Sequence, residues 1–196
     1  AAEGHVVVAP ALPGSSDNAG VAALLALPFQ PGRVRQVIEG VTEGRDAIPA
    51  ADPERVVIAG HSLGAMTALA MAYNTCCVDR RVDAVVSIAG QLATFPGGVW
   101  NTGTVPVLFV HGRADQTVAY TGSGEAFQEV GTSAYLLTVE AGDHGGYLGG
   151  DDDHYPAVRD SVLAFLLSTV GDQPRAGLSD LAVAGGSAGI RLTTRG

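Results

Sequence analysis

Five short apolar runs rich in β-branched residues recur along the chain, and most of the stretches between them carry helical spacing. The runs are Val6-Val7-Val8-Ala9, Arg55-Val56-Val57-Ile58-Ala59, Ala84-Val85-Val86-Ser87-Ile88, Val105 to Val110 and Tyr135 to Val139. Between the first two, Val34, Val37, Ile38 and Val41 stand at the i, i+3, i+4, i+7 spacing of one apolar helix face. Pro49 and the Asp52-Pro53 pair are expected to end that helix. Further helices are expected from about Leu63 to Tyr73 and from Tyr120 to Val130. A closing helix is expected along Val158, Val162, Phe165, Leu166 and Thr169. Strands that alternate with helices pair in parallel, so the pattern predicts an α/β fold: a mostly parallel sheet with helices on both faces.

The rest of the chain is less regular. Ala11 to Gly32 opens with Pro13, Gly14, Ser15, Ser16 and Asp17, followed by an apolar patch from Val21 to Leu27, and reads as a loop with one short helix. Residues 171–196 are rich in Gly, Ser and Thr without periodicity and read as an irregular tail, which leaves 1–170 as the folded domain. A length of 196 residues fits one domain, and 46% hydrophobic against 16% charged residues is enough to build a core.

Charge and residue usage exclude several function classes. A net charge of −9 argues against a nucleic-acid-binding face, which needs clustered cations. All 11 basic residues are arginine. Without lysine there is no Walker-A phosphate loop, no pyridoxal phosphate Schiff base and no lysine nucleophile. Cys76 and Cys77 are adjacent, so they cannot close a loop or form a spaced zinc site, and two unpaired thiols are expected in preference to a vicinal disulfide. No apolar run approaches the ~18 residues needed to span a bilayer. The first residues, Ala1-Ala2-Glu3-Gly4-His5, show neither an initiator Met nor a basic start, so a processed chain or a fragment is expected.

Gly60-His61-Ser62-Leu63-Gly64 follows an expected strand and opens an expected helix, the context of a G-x-S-x-G nucleophile elbow. So sharp a turn strains the backbone at the serine, and flanking glycines leave room where a Cβ would clash. The hydroxyl of Ser62 then projects above the strand ends near the positive end of a helix dipole. The Leu63 N–H is placed to meet an oxyanion.

A serine needs a base, and the base needs an orienting acid. In this motif the acid and then the histidine follow the serine in the chain. Asp115, in Val110-His111-Gly112-Arg113-Ala114-Asp115 after a buried strand, is the candidate acid. His144, in Asp143-His144-Gly145-Gly146, is the candidate base, preferred to His154 beside Asp151-Asp152-Asp153. His5, His61 and His111 read as structural, with His61 packing beside the sheet and His111 bonding locally at a strand end. A metal site around Asp143, His144, Asp151–Asp153 and His154 is weaker than a solvated acidic loop.

From His5 to Val170 the sequence resembles a serine α/β-hydrolase of the bacterial dienelactone-hydrolase-like or lipase/esterase-like type. The resemblance is carried by Gly4-His5-Val6-Val7-Val8-Ala9-Pro10, Asp52-Pro53-Glu54-Arg55-Val56, the Gly60–Gly64 elbow, His111-Gly112-Arg113-Ala114-Asp115 and Gly142-Asp143-His144. It implies the α/β-hydrolase fold, with Ser62 as nucleophile, Asp115 as acid, His144 as base and Leu63 N–H at the oxyanion. It also implies hydrolysis of small or lipid-like carboxylic esters through an acyl-enzyme, with no cofactor and no metal. Dienelactone hydrolases proper use cysteine, so Ser62 points to an ordinary ester. Leu12, Leu27, Phe29, Phe95, Trp100 and Tyr147 are the apolar residues that would suit an acyl chain. The fragment Tyr73-Asn74-Thr75-Cys76-Cys77-Val78-Asp79 is similar to secreted actinobacterial members, which favours a secreted or cell-envelope location.

The family begins with further strands, one of them followed by the loop that supplies a second oxyanion donor. Ala1 to Gly4 cannot supply that donor, and Pro10 and Pro13 lack N–H groups. The expectation is therefore an N-terminally truncated fold, the carboxyl-terminal part of a longer hydrolase. A catalytically impaired or inactive hydrolase-like binding module is the alternative, because fold does not fix reaction. A histidine base with an ordinary pKa of ~6.5 predicts activity falling below about pH 6.

Overall fold

The computed structural model describes residues 4–12, 21–45, 51–131, 133–171 and 189–195. Within them β1 (Val56–His61), β2 (Val82–Ile88), β3 (Val107–Gly112), β4 (Ala134–Val139) and β5 (Ile190–Arg195) form one sheet in the order β1-β2-β3-β4-β5. The first four are parallel and β5 runs antiparallel to β4. The helices are α1 (Val21–Ala26), α2 (Gln30–Thr42), α3 (Leu63–Tyr73), α4 (Tyr120–Glu129) and α5 (Tyr155–Thr169).

Alternation along the strands sorts the core into two layers. Ile58, Val85, Val107, Phe109 and Leu136 face α2, α3 and α4 through Ile38, Leu69, Met71 and Phe127. The intervening residues Ala84, Val86, Leu108, Val110 and Leu137 face α5 through Val158 and Phe165. Central strands are covered on both faces, which is why β3 is buried along its whole length. Helix α3 is apolar all round, and every residue from Ala65 to Tyr73 is buried. Helix α2 stops before the expected Pro49 boundary, which lies outside the described residues. Its end is set by Gly44, whose φ of 65° and N–H bond to the Val41 carbonyl turn the chain away.

Three expectations need correction. Val6–Ala9 is not a strand: it is irregular, and Val7 is 69% exposed. An apolar run becomes a strand only when a ladder accepts it. Here Val6, Val8 and Pro10 instead line an apolar groove of about 210 Å³, shared with α2 and the outer edge of β1. The tail is not wholly irregular, since β5 falls inside it. Ile190 and Leu192 turn onto the α5 layer, and the Arg191 Nε donates to Glu140 at 3.1 Å. The loop segment Pro13–Asp17 and residues 172–188 lie outside the described residues. Cys76 and Cys77 are joined to each other in a disulfide. Adjacency permits this because Asn74 folds a tight turn, its Oδ1 accepting the Cys76 N–H at 3.2 Å and its carbonyl the Cys77 N–H at 2.9 Å.

Candidate active site

The loops after β1, β3 and β4 leave the same edge of the parallel sheet, and each brings one candidate residue. Ser62 lies between β1 and α3 with φ 55° and ψ −117°, in the left-handed half of backbone space that a non-glycine residue avoids. Its N–H donates to the Ile88 carbonyl at 2.9 Å, and its carbonyl opens α3 by accepting the Met66 N–H at 3.1 Å. Leu63 is the first residue of α3, so its N–H belongs to the turn that has no intrahelical acceptor. Only one flanking glycine is sterically required. A Cβ on Gly60 would collide with the backbone of Gly64, whereas one on Gly64 meets nothing within 4 Å among the described residues.

Asp115 is buried just past β3, and its carboxylate accepts from four directions. Oδ1 takes the N–H groups of Thr117 at 2.8 Å and Val118 at 2.9 Å. Oδ2 takes the His144 Nδ1–H at 2.7 Å and faces the Nε2 of His111 at 3.0 Å. Burial works to raise its pKa, but the bonds from His144, Val118 and Thr117 outweigh it and hold the carboxyl below its usual range.

His144 sits in the loop after β4, and main-chain groups fix that loop. The Arg113 N–H donates to the Val139 carbonyl at 2.8 Å, and the Ala114 N–H to the Gly142 carbonyl at 2.9 Å. So close an approach needs Gly112, where a Cβ would collide with the carbonyls of Gly142 and Asp143. The Asp143 Oδ1 accepts the N–H groups of Gly145 at 3.0 Å and Gly146 at 2.6 Å. These bonds hold its carboxyl below the usual range.

The structure thus brings Asp115 and His144 into direct contact, with Ser62 one residue from a further contact. His61 packs its ring 4.7 Å from that of His144 and donates from Nε2 to the His144 carbonyl at 2.5 Å. His61 was expected beside the sheet; it reaches the neighbouring loop because it ends β1 where the loops converge. No hydrogen bond reaches the Ser62 hydroxyl among the described residues. His154 lies apart, its Nδ1 bonded to the Asp152 Oδ1 at 2.9 Å at the start of α5. His111 is wholly buried and bonds locally as expected, but its partner there, Asp115, was not anticipated. The spacing of His111 and Asp115 across a glycine turn is the only sequence signal for it.

Several of the apolar residues that would suit an acyl chain belong to the core. Leu27 and Phe95 belong to a third core cluster with Met66, Ala70, Cys77 and Val118, against which Trp100 packs. Tyr147 is buried beneath α5, and Phe29 is exposed. Among the described residues no three His, Cys, Asp or Glu side chains gather as metal ligands, and no helix is long and apolar enough to cross a membrane.

Residues 65–179, more than half of the chain, match the family Abhydrolase_4, described as TAP-like protein. The chain belongs to that family. The α/β-hydrolase fold of this Abhydrolase_4 member is also that of a solved structure, the crystal structure of esterase PE8. The two share 20% identity at a TM-score of 0.53, over 76% of this chain and 62% of that one. The chain therefore spans less than two thirds of the esterase's length. No curated protein matches the sequence.

Proposed function

We propose that this Abhydrolase_4 protein is a serine hydrolase that cleaves carboxylic esters through an acyl-enzyme. The observation that carries the reading is the 2.7 Å bond from His144 Nδ1 to a buried Asp115, on loops that converge beside a serine held at φ 55°. Bonding Nδ1–H to Asp115 leaves Nε2 as the basic nitrogen, which is the tautomer a general base needs. In this reading Nε2 takes the Ser62 proton as Oγ attacks the ester carbonyl. Asp115 stabilises the imidazolium that forms, and the Leu63 N–H meets the oxyanion. His144 then protonates the departing alcohol. Water, deprotonated by the same nitrogen, releases the acid and restores Ser62. A small-molecule or lipid-like ester is the proposed substrate class, supported by the likeness of the fold to that of an esterase.

Turnover of p-nitrophenyl esters and labelling by a fluorophosphonate probe test the reading. Both are expected in the native chain, and Ser62→Ala is expected to abolish labelling and lower kcat by about 10⁴-fold or more. A folded chain that neither labels nor turns over esters would instead be a hydrolase-like binding module.

A further inference from the structure

The His111 ring is buried at the end of β3, and each of its nitrogens has a partner. Nε2 faces only acceptors, Asp115 Oδ2 at 3.0 Å and the Val118 carbonyl at 3.1 Å. An unprotonated nitrogen there would set a lone pair against two oxygens, so Nε2 carries a hydrogen. Nδ1 lies 2.8 Å from Ser123 Oγ, which in turn lies 2.8 Å from the Gly90 carbonyl. Ser123 has one hydroxyl proton for these two contacts. When the ring is neutral, that proton turns to Nδ1. When the ring is cationic, Nδ1–H donates to Ser123 and the serine proton turns to Gly90. The hydroxyl therefore satisfies His111 in either charge state by rotation alone.

We propose that His111, fixed as the Nε2–H form, is a positioning residue for His144, acting through the Asp115 oxygen that both imidazoles share. The proposal rests on reading Asp115 and His144 as the acid and base of the site. One carboxylate oxygen serves two donors, so a stronger bond to one ring weakens the hold on the other. His111 thereby sets how strongly Asp115 stabilises an imidazolium at His144. Asp115 follows on the β3 loop, and His144 comes from the segment after β4, where Asp143 and Tyr147 act on the same Asp115 carboxylate. From α4, Tyr120 packs its ring 5.7 Å away. The Arg113 guanidinium lies 5.1 Å from the centre of the Tyr120 ring, whose hydroxyl is held by Thr138 of β4 at 2.7 Å. Burial pushes the His111 pKa below its ordinary value, against the pull of Val118 and Asp115.

The test reads histidine nitrogens by ¹H–¹⁵N NMR in the full chain, with ester turnover alongside. In the native chain at pH 7.5 His111 is expected as the Nε2–H tautomer; an Nδ1–H form overturns the proposal and needs no variant to fold. In His111→Phe, Asp115 loses the competing donor and binds an imidazolium at His144 more tightly. The titration midpoint of His144 is then expected to rise by about half a pH unit. The acid limb of turnover moves to higher pH with it, with KM nearly unchanged. His111→Gln, which keeps an N–H donor, is expected to return both readouts most of the way. A His144 midpoint unmoved in His111→Phe, or unrestored in His111→Gln, overturns the proposal. A moved midpoint in a chain without ester turnover supports the coupling while counting against ester hydrolysis.

Discussion

Two glycines frame Ser62 in a symmetrical motif, yet the backbone treats them differently. Gly60 lies so near the first turn of α3 that an added Cβ would meet Gly64 and stand 2.6 Å from the Ala65 nitrogen. Gly64 is an ordinary helical position with open space around it. Gly60→Ala is therefore expected to destabilise the fold by about 1–3 kcal/mol, the usual range for an overpacked site. Gly64→Ala is expected to stabilise it by about 0.5–1 kcal/mol through helix propensity. Urea unfolding midpoints at unchanged slope distinguish the two. The turn at Ser62 and the places of Asp115 and His144 on loops at strand ends could be read from the sequence because each lies within a local pattern: strand, sharp turn, polar residue. The contact of His61 could not, because its ring bonds to a loop that only the folded sheet brings near, 83 residues along the chain.

Among the elements, β3, β4 and α3 follow closely from their residues, since buried central strands and a helix buried from Ala65 to Tyr73 leave little choice of partner. The misreadings lie at the two margins of the sheet. Val6–Ala9 has the composition of a strand and no ladder, while Ile190–Arg195 is half polar and has one. Composition reports burial, and an edge strand is buried on few of its atoms, so its pairing leaves only the faint alternation of Ile190 and Leu192. Arg195 ties this edge to α4 by donating to the Phe127 carbonyl at 3.0 Å, where cations favour a helix C-terminus. If β5 is an integral strand, Ile190→Ala should cost about 2–4 kcal/mol. A thermal or urea midpoint unchanged in that variant would show that the sheet is stable without it.

For the molecule as a whole, acid is the sharper threat to stability. Two buried carboxylates ionise more readily in the folded chain than in the unfolded one. Asp79 is held down by side-chain bonds from Arg81, at 2.6 Å and 2.9 Å, with Arg35 at 3.4 Å. Asp115 is held down by His144, Val118 and Thr117 against its burial. A depressed folded pKa contributes stability that is complete above the unfolded value of ~3.9 and is lost as pH falls through the folded value. Urea midpoints are therefore expected to hold down to about pH 5 and to drop steeply below pH 4. Arg81→Ala should flatten part of that drop, and a midpoint that stays level to pH 3 would contradict the linkage.

The loop that presents His144 is fastened to β3 by amide and carbonyl groups, at Arg113, Ala114, Val139 and Gly142. Main-chain anchors are indifferent to which side chain a position bears. Substitutions at Arg113 and Ala114 should accordingly leave these anchors, and the course of the loop they hold, in place. The path of this loop is thus insulated from the identity of the residues that face it, and a library randomised at those two positions is expected to return chains that still fold.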